Sequence, residues 1–108
     1  MTNLTIDRAD LCPGYLYLCG RSCVMGHYYQ KVRKVKMSDL DGHHWLPAEE
    51  KFLPFRVPEA TAINDGMLYG SDKHADAKLH DRKKGEAQLV EMFKLADVEL
   101  VFNGEYVN

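Results

Sequence analysis

The last quarter of the chain places the tightest limits on its fold. Leu89, Val90, Met92, Phe93 and Ala96 fill an arc of about 160° when wound at the helical period, with Glu91 and Lys94 opposite. Only Leu95 breaks the pattern. The spacing predicts an amphipathic helix from Glu86 to Ala96 whose apolar stripe needs a core to cover it. Val98-Glu99-Leu100-Val101-Phe102 then alternates with the period of a half-buried strand. Asn103-Gly104 is a strong short hairpin signal, with Tyr106-Val107 as the returning arm.

Strand patterns also lead the reading of the first half. Residues 3–6, Asn-Leu-Thr-Ile, alternate polar and apolar. Cys12-Pro13-Gly14 is a turn signal, and Tyr15-Leu16-Tyr17-Leu18-Cys19 after it is an aromatic-rich strand candidate ended by Gly20. Residues 20–26 read as a loop. His27 to Met37 reads as an exposed or edge strand, because neither face is cleanly apolar and its lysines discourage strand pairing. Ser38 to Gly42 is a turn, followed by a polar loop through Lys51.

Phe52 to Pro58 carries two prolines, which restricts it to an edge strand or an extended segment. Asn64-Asp65-Gly66 reads as a turn into a short strand, Met67-Leu68-Tyr69. Asp72 to Glu86 is dense in alternating charge and reads as a surface helix or mobile linker ending at Gly85. The expected architecture is α+β: a small antiparallel sheet of four or five strands, one C-terminal amphipathic helix, and a β-hairpin after it. Residues 1–108 are expected to form a single domain, with enough chain for one modest core.

Composition narrows the function classes. Apolar residues at 45% and charged residues at 28% exclude a disordered chain. A net charge of −2 gives no general attraction to nucleic acid or to an anionic membrane. No apolar run approaches the length of a membrane span. Asp7, Arg8 and Asp10 interrupt any reading of the first residues as a signal peptide. An odd number of cysteines, three, suits reduced thiols, so a cytoplasmic location is expected.

All three cysteines and three of the five histidines fall within the first 44 residues. Cys12, Cys19, Cys23 and His27 have the donor set of a structural zinc site, with His43 or His44 as a substitute. Only Cys19-x₃-Cys23 has knuckle spacing, and buried free cysteine is commonly a small hydrophobe. Cys23 and His27 could pair as nucleophile and base only if a helix brought them together, and the flanking Gly20 and Gly26 favour a loop. Asp39, Asp41 and Glu50 mimic positions of a calcium loop, but His44 stands where the loop requires glycine. Asp39, Asp41, His43 and His44 also define a reading as a small metal-dependent hydrolase or nuclease; a polar turn explains the same residues.

The run from Tyr28 to Lys36 interleaves Tyr28 and Tyr29 with Lys31, Arg33, Lys34 and Lys36, a pattern suited to stacking on bases and tracking phosphates. The same residues fit a solvated edge strand. Trp45, Phe52 and Phe55 are aromatic and flank polar loops, where such residues often anchor partners or cover a core.

No catalytic constellation is complete. The leading expectation is therefore a small non-enzymatic protein that binds and modulates, or inhibits, a larger protein. Tyr28–Lys36 and the Trp45, Phe52 and Phe55 region would form its contact surface. Compact accessory proteins of phages and mobile elements share this profile. A zinc-stabilised nucleic-acid-binding module using the basic segment is the alternative.

Overall fold

The computed structural model describes residues 1–12, 21–35, 53–69 and 75–107. Their order is β1 (Thr2–Asp7), a short 3₁₀ turn (Arg8–Asp10), α1 (Val24–Lys31), α2 (Val57–Tyr69), α3 (Ala75–Leu95) and β2 (Val98–Asn103). The expected Tyr15–Cys19 strand, the Ser38–Gly42 turn and the polar loop after it lie outside the described residues.

The expected antiparallel sheet is overturned. Among the described residues the sheet has two strands, and they run parallel, with Thr2 opposite Val98 and Asp7 opposite Asn103. Both strands were legible from their alternation, and they bury matching faces: Leu4 and Ile6 from β1, Val98 and Leu100 from β2. Their direction follows from the end of α3. Asp97 adopts a left-handed conformation (φ 61°) while its amide closes on the Lys94 carbonyl at 3.1 Å. The Asp97 carbonyl then accepts from the Thr2 amide at 3.0 Å, so β2 enters the ladder at its first rung.

Among the described residues the final hairpin is absent as well. Gly104 is left-handed (φ +71°), and a Cβ there would lie 2.7 Å from Asp7 Oδ1, so glycine is required for close approach to β1. Its carbonyl accepts from Arg8 Nη1 at 2.8 Å. This directs the following residues toward α3 instead of back along β2.

Helices replace three other expectations. The described start of the His27–Met37 segment is helical, as part of α1. Val24 through Tyr29 are all buried, Gly26 and His27 among them, so burial over these six residues does not follow a one-sided apolar stripe. Met67-Leu68-Tyr69 and the Asn64-Asp65-Gly66 triplet belong to α2. Its buried positions, Val57, Ala60, Thr61, Asn64, Met67 and Leu68, recur at helical spacing. Pro58 sits in its first turn, where a missing amide proton costs nothing. Leu53 to Phe55 is a bend before that helix, not an edge strand.

The charged segment from Asp72 does not end at Gly85, because α3 runs through it to Leu95. Leu89 and Phe93 are fully buried, with Val90, Met92 and Ala96 packed beside them, as the apolar arc predicts. Leu95, the misfit, is 70% exposed. Gly85 marks the close approach of α2 and α3: a Cβ there would meet Met67 Cγ at 2.3 Å and Ile63 Cγ2 at 3.3 Å. Gly85→Ala is therefore expected to destabilise the fold by about 1–3 kcal/mol, against a helix-propensity gain of about 1 kcal/mol. Urea unfolding measures the sign, and a stabilised variant would refute close packing as the reason for this glycine.

Candidate functional site

Two polar clusters stand out among the described residues. The first joins the 3₁₀ turn, α1 and α2. After the turn the chain pairs briefly with the residues before α1, in an isolated parallel bridge between Leu11 and Ser22. The Ser22 amide donates to Asp10 O at 3.1 Å, and the Cys12 amide donates to Ser22 O at 3.0 Å. The next rung of such a ladder would join the Val24 amide to Cys12 O. Asn64 occupies that rung instead. Its Oδ1 accepts from Val24 N at 3.0 Å, and its Nδ2 donates to Cys12 O at 3.3 Å.

Asn64 is fully buried and so supplies from α2 the cap that Cys23, the N-cap residue of α1, does not provide. His27 is also buried. Its Nε2 faces Asp10 O at 3.0 Å; a carbonyl can only accept, so Nε2 carries the proton. Burial lowers the His27 pKa below its ordinary value, opposed by the Asp10 carbonyl.

This geometry bears directly on the zinc and nucleophile readings. Cys23 and His27 do share a helical turn, since the His27 amide bonds Cys23 O at 3.3 Å. The Cys23 thiol, however, is fully buried, and burial pushes it up to about 11. Burial also raises the half-buried Cys12 thiol. Among the described residues no three histidine, cysteine or acidic side chains gather as a metal site. Cys19, the remaining candidate ligand, lies outside the described residues, as do Asp39, Asp41, His43, His44 and Glu50.

The second cluster carries no local sequence signature. Arg8 Nε and Nη2 donate to the two oxygens of Glu86 at 2.9 and 2.7 Å, a forked pair between the 3₁₀ turn and the middle of α3. The Tyr106 hydroxyl donates to Glu86 Oε2 at 2.5 Å. The Arg82 guanidinium stacks 4.2 Å from the Tyr106 ring centre, while its Nε donates to Met67 O at 3.1 Å. With Lys83 and Gly104 these groups line a pocket of about 310 Å³.

Burial on its own would raise the Glu86 carboxyl, but the Arg8 fork, the Tyr106 hydroxyl and the Arg82 charge hold it below its usual range. Burial and the adjacent carboxylate raise the Tyr106 phenol. A carboxylate whose folded pKa is depressed adds stability above its ordinary value, and that stability is lost as pH falls through the lowered one. Glu86→Gln is thus expected to cost about 1–2 kcal/mol at pH 7 and to lose less stability than wild type as pH falls below about 4.3. Parallel unfolding curves from pH 7 to 3 for the two proteins would refute the charge pairing.

The other candidate contact residues separate. Tyr28 and Tyr29 are core residues, 6% and 0% exposed. The Tyr28 ring packs 5.5 Å from that of Phe93, so neither tyrosine offers a face for stacking on bases. Lys31, Arg33 and Lys34 are exposed at the end of α1, and Lys31 Nζ reaches Thr5 O on β1 at 3.4 Å. Phe55 is half-buried with its ring 5.1 Å from Phe93, acting as a lid on the core. Lys36, Trp45 and Phe52 lie outside the described residues. Among the described residues no helix is long and apolar enough to cross a membrane.

A surface groove was not anticipated. Between α2 and α3, Ile63, Ala87 and Met92 line a shallow depression of about 550 Å³, bordered by Glu59, Lys84 and Glu91. Leu95, exposed and just outside the buried arc, lies one turn beyond Met92 on α3. Comparison of the chain with family models, with curated proteins and with solved structures finds no match.

Proposed function

We propose that this protein is a small non-enzymatic interaction protein that binds and modulates a larger protein. The observation that carries the reading is the groove between α2 and α3: an apolar floor with a charged border, and the exposed Leu95 one turn beyond Met92. A buried apolar patch inside a polar rim is the usual anatomy of a protein-binding surface. The buried His27 supports the same reading, because its ring is committed to packing and to a hydrogen bond with Asp10 O.

Affinity purification of the tagged wild-type protein from its own cells is expected to recover one partner in stoichiometric amount. Leu95→Asp, a change at a solvent-facing position, is expected to reduce that recovery at least tenfold while leaving the unfolding midpoint unchanged. Failure of the wild type to retain any partner, or full retention by the variant, would refute the reading.

A further inference from the structure

Cys12 and Cys23 are both reduced thiols, and each directly follows a residue of the Leu11–Ser22 bridge. With Leu11 bridged to Ser22 in parallel register, the next pair in sequence is Cys12 and Cys23. Partners on regular parallel strands project from the same face about 4.8 Å apart; Cys12 and Cys23 directly follow the bridged pair, and a disulfide accepts Cα separations of about 4.4–6.8 Å. The pair sits where the ladder forks. On one side the bond from Cys12 N to Ser22 O keeps it closed. On the other, the Asn64 carboxamide spreads Cys12 O from Val24 N while holding both. This clamp fixes the two cysteine backbones against each other, so their approach needs no search by the chain.

We propose that Cys12 and Cys23 are a redox modification site, forming an intramolecular disulfide when the protein meets a small-molecule disulfide such as oxidised glutathione. Cys12 is partly exposed and Cys23 is fully buried, which sets the order of events. The Cys12 thiolate attacks one sulfur of oxidised glutathione, forming a mixed disulfide and releasing one glutathione thiolate. The Cys23 thiolate then attacks Cys12 Sγ, breaking the mixed disulfide and releasing the second glutathione. The two protein thiols lose two electrons and two protons, and one oxidised glutathione becomes two reduced glutathiones. Burial raises both thiols, so exchange is slow at neutral pH and accelerates as pH rises. The product ties the first turn of α1 to the segment after β1.

The test maps disulfides in the native wild-type protein after incubation with oxidised glutathione and alkylation of remaining thiols. Cleavage after Arg21 separates Cys23 from the other two cysteines, and cleavage after Tyr15 or Tyr17 separates Cys12 from Cys19. The expected product is lighter by two hydrogens, joins Cys12 to Cys23, and melts at a higher temperature until reduced. In urea the shorter Cys19–Cys23 loop is expected to dominate instead, because short loops close more readily. A native pairing pattern equal to that in urea would overturn the proposal. So would a disulfide that includes Cys19, or a persistent glutathione adduct without an internal bond.

Discussion

Phe93→Ala is expected to lower the unfolding free energy by about 3–5 kcal/mol, a large part of the stability of a domain this size. Phe93 is fully buried on α3, and its ring lies 5.5 Å from Tyr28 of α1 and 5.1 Å from Phe55 before α2. One side chain thus ties three segments together through tilted aromatic contacts, each adding to simple burial. Truncation would leave a cavity that three separate backbones cannot all move to fill. Urea denaturation followed by far-UV circular dichroism measures the loss. A cost below about 1 kcal/mol would mean that the aromatic cluster is not the centre of the core.

Asn64→Ala is the second large effect, at about 3 kcal/mol. The substitution removes the buried acceptor of the Val24 amide, whose orphaning costs about 1–3 kcal/mol, and the part-buried donor to the Cys12 carbonyl. It also removes the only side-chain cap described at the start of α1. Asn64→Asp discriminates the two roles. The aspartate keeps an acceptor for Val24 N but turns the donor facing Cys12 O into a second acceptor, so it is expected to recover only part of the loss. Thermal unfolding of both variants checks this order. An Asp variant as stable as wild type would show that the contact with Cys12 O contributes nothing.

These two residues also explain which parts of the fold could be read in advance. Phe93 belongs to the one segment whose apolar residues recur cleanly. That half of α3 is helical as expected, ending at Leu95 where Ala96 was expected, and β1 and β2 contain the expected residues 3–6 and 98–102 but run longer. Asn64 stands on an equally periodic stripe, but two members of the stripe, Thr61 and Asn64, are polar. Beside Asp65 and Gly66 they resemble a turn, and local chemistry there yields to a tertiary bond 40 residues away in sequence. Val24 to Tyr29 was read as loop and strand because β-branched and aromatic residues favour strands, whereas burial on all sides lets a helix hold them equally well. Gly85 looked like a helix stop, and the reason for it is a neighbouring helix.

The candidate sites were less legible for the same reason. Arg8 and Glu86 are 78 residues apart, and no spacing rule connects a turn after one strand with the middle of a distant helix. The groove between α2 and α3 depends on two helices, one of which was not foreseen. Leu95 alone left a trace, as the single apolar residue outside the arc.

The parallel pairing of β1 with β2 has a further consequence, for how the molecule is born. During synthesis, at about 5–20 residues per second, Leu4 and Ile6 emerge early, while the strand they pair with is among the last residues described. The ladder cannot zip until residues 98–103 have left the ribosome. For those seconds the nascent strand keeps a sticky, one-sided edge that a chaperone or a neighbouring polypeptide can seize. The wait is written into the topology, and contacts this distant in sequence are also the slow ones to form on refolding.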